Sequence, residues 1–149
     1  MGKSKNGILV ASHGGLAKEI VKTASLFLGD YNSDRVDAVG LYEEGGFEKF
    51  TDKINEKVNF LLENNDKVII ITDLFGGTPN NEAMKISMNN SRVEVVSGFN
   101  LALLIEVLSM IDQEVIDTKE LVNIGKQSII SDSELSVSDV DNDEEELCL

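Results

Sequence analysis

The sequence predicts an α/β protein with a doubly wound, mostly parallel sheet: four parallel strands and a short C-terminal edge strand, with helices on both faces. The main observation is that short apolar runs, typical of buried strands, alternate four times with amphipathic helical segments. The connections between them are short, as expected for strand–helix–strand units. The length of 149 residues fits one domain with a sizeable core.

The first half of the chain contains two strand–helix pairs. The apolar run 7–12 predicts a buried strand, and apolar residues then recur at helical spacing over Leu16–Leu28 until Gly29 ends the pattern. A second strand is predicted over 36–42. The amphipathic helix that follows it begins near Phe47 and ends at 64–65.

The second half repeats this order. The β-branched run 67–73 predicts the clearest strand and ends on a carboxylate; the next helix has Pro79 in its first turn. A fourth strand is predicted over 93–97, and Asn100 is the expected N-cap of the helix after it.

The C-terminal region predicts a short helix over 118–124 and the edge strand over 127–131. The segment 132–149 has no apolar periodicity, and it contains eight acidic residues and no basic one. We therefore expect one domain over residues 1–131, followed by a mobile acidic tail.

The distribution of charge argues against nucleic acid as a partner. The net charge is −14, and removing the eight charges of the tail leaves −6 on residues 1–131. Neither part offers the clustered lysine and arginine that phosphate-backbone binding requires.

Hydropathy and the N-terminus predict a cytoplasmic protein. No stretch approaches the roughly 18 apolar residues that span a bilayer, and the polar start 1–6 lacks the apolar region of a secretory signal. Cys148 is the only cysteine, so no internal disulfide and no Cys/His zinc site is expected.

Three unusual loops follow strands one, three and four, at the edge of the sheet where ligands bind in open α/β folds. They cover residues 12–15, 73–79 and 97–100. Because strands one and three are neighbours in the usual order of such sheets, we expect His13 and Asp73 to face each other.

His13, the only histidine, is the candidate nucleophile. A lone histidine is often structural, but this one lies at a strand end and is followed by two glycines and a helix N-terminus. Such a place favours a bound anion, and an imidazole can attack phosphorus. Asp73 could fix the tautomer by accepting from Nδ1, leaving Nε2 to react, or it could merely cap a turn.

Other site types lack essential residues. Gly76, Gly77 and Thr78 could bind phosphate, but the Gly-Lys-Ser/Thr ending of a P-loop and the G-x-G-x-x-G dinucleotide motif are missing. The His13-Gly-Gly segment is similar to the oxyanion loop of esterases, yet the chain has no second histidine and no G-x-S-x-G. A histidine-based metal site fails for the same reason.

Three segments in register resemble the IIA component of the mannose/fructose/sorbose family of the bacterial phosphoenolpyruvate-dependent sugar phosphotransferase system (PTS). They are GILVASHGGLA around His13, ITDLFGGTPNNEA around Asp73 and VVSGFNLALLIE around Asn100. Each motif alone is weak, but three in order over about residues 7–131 are specific.

The resemblance implies a protein-histidine phosphotransferase component. The phosphocarrier HPr would phosphorylate His13 at Nε2, with Asp73 bonded to Nδ1, and the phosphate would pass to a histidine of a IIB component. A membrane IIC/IID pair would move the sugar while IIB phosphorylates it. The resemblance also implies a homodimer that exchanges the edge strand 127–131, and no metal or organic cofactor.

A phosphate-binding loop is implied as well. The hydroxyl of Thr78 and the backbone N–H groups of Leu74, Phe75, Gly76 and Gly77 would hold the phosphate oxygens. Leu74 stands where some members carry a hydroxyl-bearing residue, so only its backbone could contribute. The segment after residue 131 matches nothing in the family core, and the sugar is not indicated by this domain.

Three alternatives stay open at this stage. One is the carrier subunit of dihydroxyacetone kinase, against which the Gly-Gly-Thr-Pro-Asn segment argues. Another is a regulatory module in which phosphorylated His13 controls a transcription factor. The third is a doubly wound domain that binds a small molecule and in which His13 is incidental.

Overall fold

The computed structural model describes residues 4–135, which form a four-stranded sheet with parallel pairing throughout. The strands are β1 (Ser4–His13), β2 (Val36–Leu41), β3 (Asn65–Thr72) and β4 (Val93–Ser97). They lie in the order β2-β1-β3-β4, so β1 and β3 are central neighbours. The predicted doubly wound α/β fold is confirmed.

Five α-helices in the described residues cover the sheet. They are α1 (Leu16–Leu28), α2 (Gly46–Asn64), α3 (Thr78–Asn89), α4 (Leu101–Ser109) and α5 (Thr118–Gln127). The local signals behave as expected: Pro79 lies in the first turn of α3, and Oδ1 of Asn100 accepts a hydrogen bond from the N–H of Leu103 at 2.9 Å.

Each face of the sheet carries its own apolar core. In β1, Ile8 and Val10 pack with α1, α4 and α5, whereas Leu9 and Ala11 pack with α2 and α3. All four side chains are fully buried. Strands buried on both faces read as continuous apolar runs, which is the pattern of the first and third strands. Each large apolar side chain buried here contributes about 1.5–3 kcal/mol.

The predicted edge strand over 127–131 does not form within the described chain; its exchange with a partner subunit stays a prediction. Gln127 belongs to α5, and the N–H of Ser128 donates to the carbonyls of Ile124 and Gly125 at 3.2 and 3.3 Å. These bonds close the last turn of a helix, which therefore extends three residues beyond the predicted 118–124. Residues 129–131 pair with no strand within the described part of the chain.

The predicted tail lies mostly outside the described residues. Of 132–149, the structure describes the 3-10 helix Asp132–Glu134 and Leu135 after it. In the part of the chain that is described, no helix combines the length and the apolar character needed to cross a membrane.

Candidate active site

The centre of the sheet provides a crevice at the carboxyl ends of β1 and β3. The chain leaves β1 for α1 on one face and leaves β3 for α3 on the other face, so the two following loops separate here. This is the place where doubly wound folds bind ligands. His13 is the last residue of β1, and Asp73 directly follows β3.

The structure brings these two predicted residues into contact. Nδ1 of His13 lies 2.8 Å from Oδ2 of Asp73, and the same oxygen accepts the backbone N–H of His13 at 2.8 Å. The other oxygen, Oδ1, accepts the backbone N–H of Leu74 at 2.9 Å. Two backbone donors therefore fix the plane of the carboxylate independently of its hydrogen bond to the imidazole.

The surroundings of Asp73 keep it ionised. Burial, which leaves only 9% of the side chain exposed, raises the pKa of this carboxyl. Four effects lower this pKa: the hydrogen bonds from the backbone N–H and the ring of His13, the charge of His13, and the hydrogen bond from the N–H of Leu74. Together they outweigh burial, so the pKa of Asp73 lies below its ordinary value of 3.8.

The ionised carboxylate determines which imidazole nitrogen can react. A carboxylate only accepts hydrogen bonds, so Nδ1 of His13 must carry the proton that is shared with Asp73. Nε2 then keeps its lone pair. Because 47% of the histidine side chain is exposed, an outside reactant can approach the ring.

The start of α3 lies against the imidazole. A β-carbon at Gly77 would stand 3.0 Å from Cε1 of His13, closer than ordinary packing allows. Gly77 is the N-cap of α3 and is extended rather than left-handed, so the close approach of the ring, and not the φ angle, favours glycine at this position. The contact places the positive end of the α3 dipole beside the ring.

The predicted phosphate loop divides into engaged and open donors. The N–H of Leu74 donates to Asp73, and the N–H of Gly77 donates to the carbonyl of Leu74 at 3.1 Å. Within residues 4–135, the N–H groups of Phe75 and Gly76 make no hydrogen bond. Thr78 is the first residue of α3, where backbone N–H groups have no intrahelical partner.

Ser12 is a buried side chain that holds the loop between β1 and α1. It is fully buried, and its Oγ accepts the N–H of Ala17 at 2.7 Å and donates to the carbonyl of Gly14 at 3.4 Å. The side chain thereby ties the end of β1 to the first turn of α1. A serine that ends an apolar strand was the signal for this role.

A buried polar cluster behind Asp73 was not predicted from the sequence. Oγ1 of Thr72 donates to Oδ1 of Asn80 at 3.2 Å and lies 3.1 Å from Oγ of Ser97, which also contacts Asn80. Thr72 and Asn80 are at most 1% exposed. The cluster joins the ends of β3 and β4 to the first turn of α3.

The third predicted loop, 97–100, lies on the far side of β3 from His13. The N–H of Gly98 donates to the carbonyl of Thr72 at 2.8 Å, and Nδ2 of Asn100 donates to the carbonyl of Gly125 at 2.9 Å. No hydrogen bond joins this loop to His13 or Asp73 in the residues that the structure describes. Its role here is to hold α4 and α5.

The surface beside His13 is apolar and open. Leu74 is 61% exposed and Phe75 is 84% exposed, although both follow a buried strand. Within residues 4–135, no group of three or more His, Cys, Asp or Glu side chains is placed to hold a metal ion. An exposed histidine flanked by exposed apolar side chains suits contact with a protein better than enclosure of a small molecule.

Known proteins resemble this chain in sequence and in fold. The family model described as PTS system fructose IIA component matches residues 7–124. The fructose-specific EIIA component of Bacillus subtilis (strain 168) is 27% identical over 116 residues, which are 78% of this chain and 76% of that protein. The mannose-specific EIIAB component of Escherichia coli (strain K12) is 28% identical over 107 residues, 72% of this chain, so the match spans about a third of its length (32%).

A solved structure shows the same similarity. The PTS IIA protein associated with the fucose utilization operon of Streptococcus pneumoniae aligns with a TM-score of 0.84 and 37% identity. The alignment covers 90% of this chain and 98% of that one.

Proposed function

The chain belongs to the mannose/fructose/sorbose family of PTS IIA components, and from this premise we propose that His13 accepts a phosphoryl group from HPr and passes it to a histidine of a IIB component. The protein would thus act as a phosphohistidine carrier in coupled sugar uptake and phosphorylation.

One observation carries the proposal: Asp73 holds Nδ1 of His13 at 2.8 Å and leaves Nε2 free on an exposed ring. A carrier histidine must meet one protein, release it and then meet another, so its reactive nitrogen must lie at the surface.

The transfer itself is an exchange of nitrogen–phosphorus bonds. The lone pair of Nε2 forms a bond to phosphorus as the bond to the donor histidine breaks, and the donor nitrogen keeps that electron pair. The imidazole of His13 gains positive charge in this step. The negative charge of Asp73, which burial shields from water, stabilises it without taking the proton from Nδ1.

The open donors of the β3–α3 loop would hold the phosphoryl oxygens. We assign this role to the N–H groups of Phe75, Gly76 and Thr78 and to the Thr78 hydroxyl, which makes no hydrogen bond within residues 4–135. Leu74 and Gly77 contribute by shaping the loop, because their own N–H groups are engaged. The α3 dipole adds favourable charge for an anion.

Leu74 and Phe75 supply apolar surface for both protein partners at the rim of the site. The mannose-specific relative from Escherichia coli is named an EIIAB component, and this name supports a IIB partner for the domain proposed here. Contact with the membrane IIC/IID pair would be indirect, through IIB. A cytoplasmic location follows, because the initial phosphate donor, phosphoenolpyruvate, is a cytoplasmic metabolite.

A homodimer is part of the same proposal. β4 is an edge strand, and a groove of about 450 Å³ runs along it between Val95 and Val122. Ile129 and Ile130 are 74% and 53% exposed after the end of α5. These two side chains would pack on the partner subunit, so replacing both by serine should shift the mass measured by light scattering from dimer to monomer.

The central test is phosphorylation by the purified donors. Incubation with phosphoenolpyruvate, enzyme I and HPr should give an acid-labile, base-stable adduct on the wild-type chain and none on His13→Ala. Onward transfer of the label to a cognate IIB would separate transport from a regulatory use. Absence of label, or label that persists in His13→Ala, would sink the proposal.

A further inference from the structure

The outer edge of β2 forms a groove bounded by lysines, here called the lysine groove. Its volume is about 360 Å³; its floor is Asp37, Ala38, Val39, Gly40 and Tyr42, and its walls carry Lys18 of α1 and Lys53 and Lys57 of α2. Because β2 pairs only with β1, one side of this strand has no neighbour within the described residues. The groove is thus a concave, positively charged strand edge.

The charges in the groove are only partly neutralised. Nζ of Lys57 lies 2.8 Å from Oδ2 of Asp37, the one carboxylate that lines the groove. Within residues 4–135, Lys18 and Lys53 make no hydrogen bond or ion pair. Lys22 and Lys49 stand one helical turn from them, so five of the 13 basic residues flank this edge.

The open edge of β2 carries backbone hydrogen-bonding groups beside the charged lysine side chains. The N–H of Ala38 faces the open edge and is satisfied by the carboxylate of Asp37 at 2.7 Å. By strand alternation the N–H of Gly40 faces the same way. Lysines at an open edge commonly prevent pairing with another strand, because their charges disfavour an uncharged or basic segment. A segment that binds in the groove must therefore be acidic.

The chain itself contains a segment of complementary charge. Residues 139–146 hold six acidic side chains and no basic one, and 132–149 holds eight of the 27 acidic residues. We propose that residues 139–146 bind in the lysine groove of the same chain. The inference rests on the groove and on the sequence of the tail, and it does not depend on the proposed function.

The length of the tail permits this contact. Residues 139–146 follow Leu135 by four to eleven residues, which span about 13–40 Å when extended. The four strands separate β4 from β2 by about 14 Å, and a compact chain of this length has a radius of gyration of about 14 Å. The tail can therefore pass around the domain to β2.

The groove ends close to the candidate active site. The N–H of Gly14 donates to the carbonyl of Leu41 at 2.7 Å, and Tyr42 follows as the end of the groove. A tail bound there would bring negative charge near the residues that follow His13. If His13 is a phosphate carrier, the bound tail would disfavour approach of an anionic donor.

Zero-length carbodiimide cross-linking of the full chain tests the placement. This reagent joins lysines to carboxylates in direct contact, and Lys57–Asp37 and Lys85–Glu82 are built-in positive controls. We expect tail peptides joined to Lys18 and Lys53, and loss of these products in about 0.5 M salt, where charge interactions reach only about 4 Å. Tail products concentrated on Lys119 or Lys126, or spread evenly over all lysines, would overturn the proposal.

Two controls make the result specific. In a mixture of ¹⁴N- and ¹⁵N-labelled chains, tail products should contain one isotope only, and mixed products would refute binding within one chain. Lys18→Gln with Lys53→Gln should move the amide resonances of 139–146 toward their high-salt positions. Lys5→Gln with Lys67→Gln changes net charge equally at the opposite end of the sheet and should leave them unmoved; equal responses would contradict the proposal.

Discussion

Gly77 lies so close to His13 that a β-carbon at position 77 would stand 3.0 Å from Cε1 of the imidazole. The carbonyl oxygen of Leu74 would lie 3.4 Å from the same carbon, which is an ordinary contact, so the imidazole is the one crowded neighbour. Asp73 holds the ring through Nδ1, and Gly77 limits it at the adjacent ring carbon. The β3–α3 loop thus sets the direction of Nε2 from two positions.

Gly77→Ala should therefore turn the ring and slow phosphoryl transfer by about tenfold, because small errors in orientation are costly in a direct transfer. His13 is the only histidine, so a single Cε1–Hε1 NMR resonance reports on the ring. That resonance should shift in Gly77→Ala. In Gly15→Ala the added carbon contacts only Oη of Tyr42, at 3.6 Å, so the Cε1–Hε1 resonance should shift much less in this variant. An unmoved resonance in Gly77→Ala would contradict the packing argument.

Asp73→Asn should reduce the rate of phosphorylation about 10- to 100-fold. The change removes a charge-assisted hydrogen bond worth about 1.5–3 kcal/mol and allows the wrong tautomer of His13. Rapid-quench measurement with phospho-HPr gives the rate. Asp37→Asn, which removes a carboxylate paired with Lys57 at a distant edge, is the matched control. Equal rates in Asp73→Asn and wild type would show that its role is misassigned.

The same carboxylate should contribute to the pH dependence of stability. The pKa of Asp73 is lower in the folded chain than its ordinary 3.8, so its contribution is fully present above that value. The contribution is lost as the pH falls through the lower, folded-state pKa. Urea unfolding of wild type and Asp73→Asn from pH 6 to pH 3 should show a stability difference that shrinks only below about 3.8. A difference independent of pH would mean that folding does not lower the pKa of Asp73.

Asn80→Ala should lower the free energy of unfolding by about 1–3 kcal/mol, the usual cost of breaking a buried hydrogen-bond group. Thr72 and Ser97 remain 3.1 Å apart and can still bond to each other, which limits the loss. Asn81→Ala, which removes an exposed bond to the carbonyl of Gly76, is a neighbouring control and should cost less. Urea denaturation measures both. Equal losses of unfolding free energy in the two variants would show that the cluster does not stabilise the fold.

The strand pattern and the pairing of His13 with Asp73 could be predicted because both follow from local sequence and one topological rule. The continuous apolar runs indicated central strands, and adjacent central strands bring their carboxyl ends together. The role of each candidate side chain in phosphate transfer stays a prediction.

Other features depended on tertiary contacts that no local pattern reveals. The need for glycine at position 77 arises from a ring 64 positions away in the sequence. The cluster of Thr72, Asn80 and Ser97 joins three elements, and each of these residues alone resembles an ordinary strand end or helix start. The predicted edge strand 127–131 overlaps the end of α5, which extends through Gln127, and residues 129–131 pair with no strand within residues 4–135.

Phe75→Ser should weaken protein docking while leaving the fold intact. Phe75 is 84% exposed, so its replacement removes little buried surface from the folded chain. A solvent-exposed aromatic beside a reacting group suits a docking anchor, and its loss from an interface costs about 2 kcal/mol or more. We expect KM for phospho-HPr to rise at least tenfold with little change in kcat. Met88→Ser, at an 80% exposed position in the last turn of α3, is the matched control and should change neither. Parallel loss of thermal stability in Phe75→Ser, or an unchanged KM, would exclude Phe75 from the docking surface.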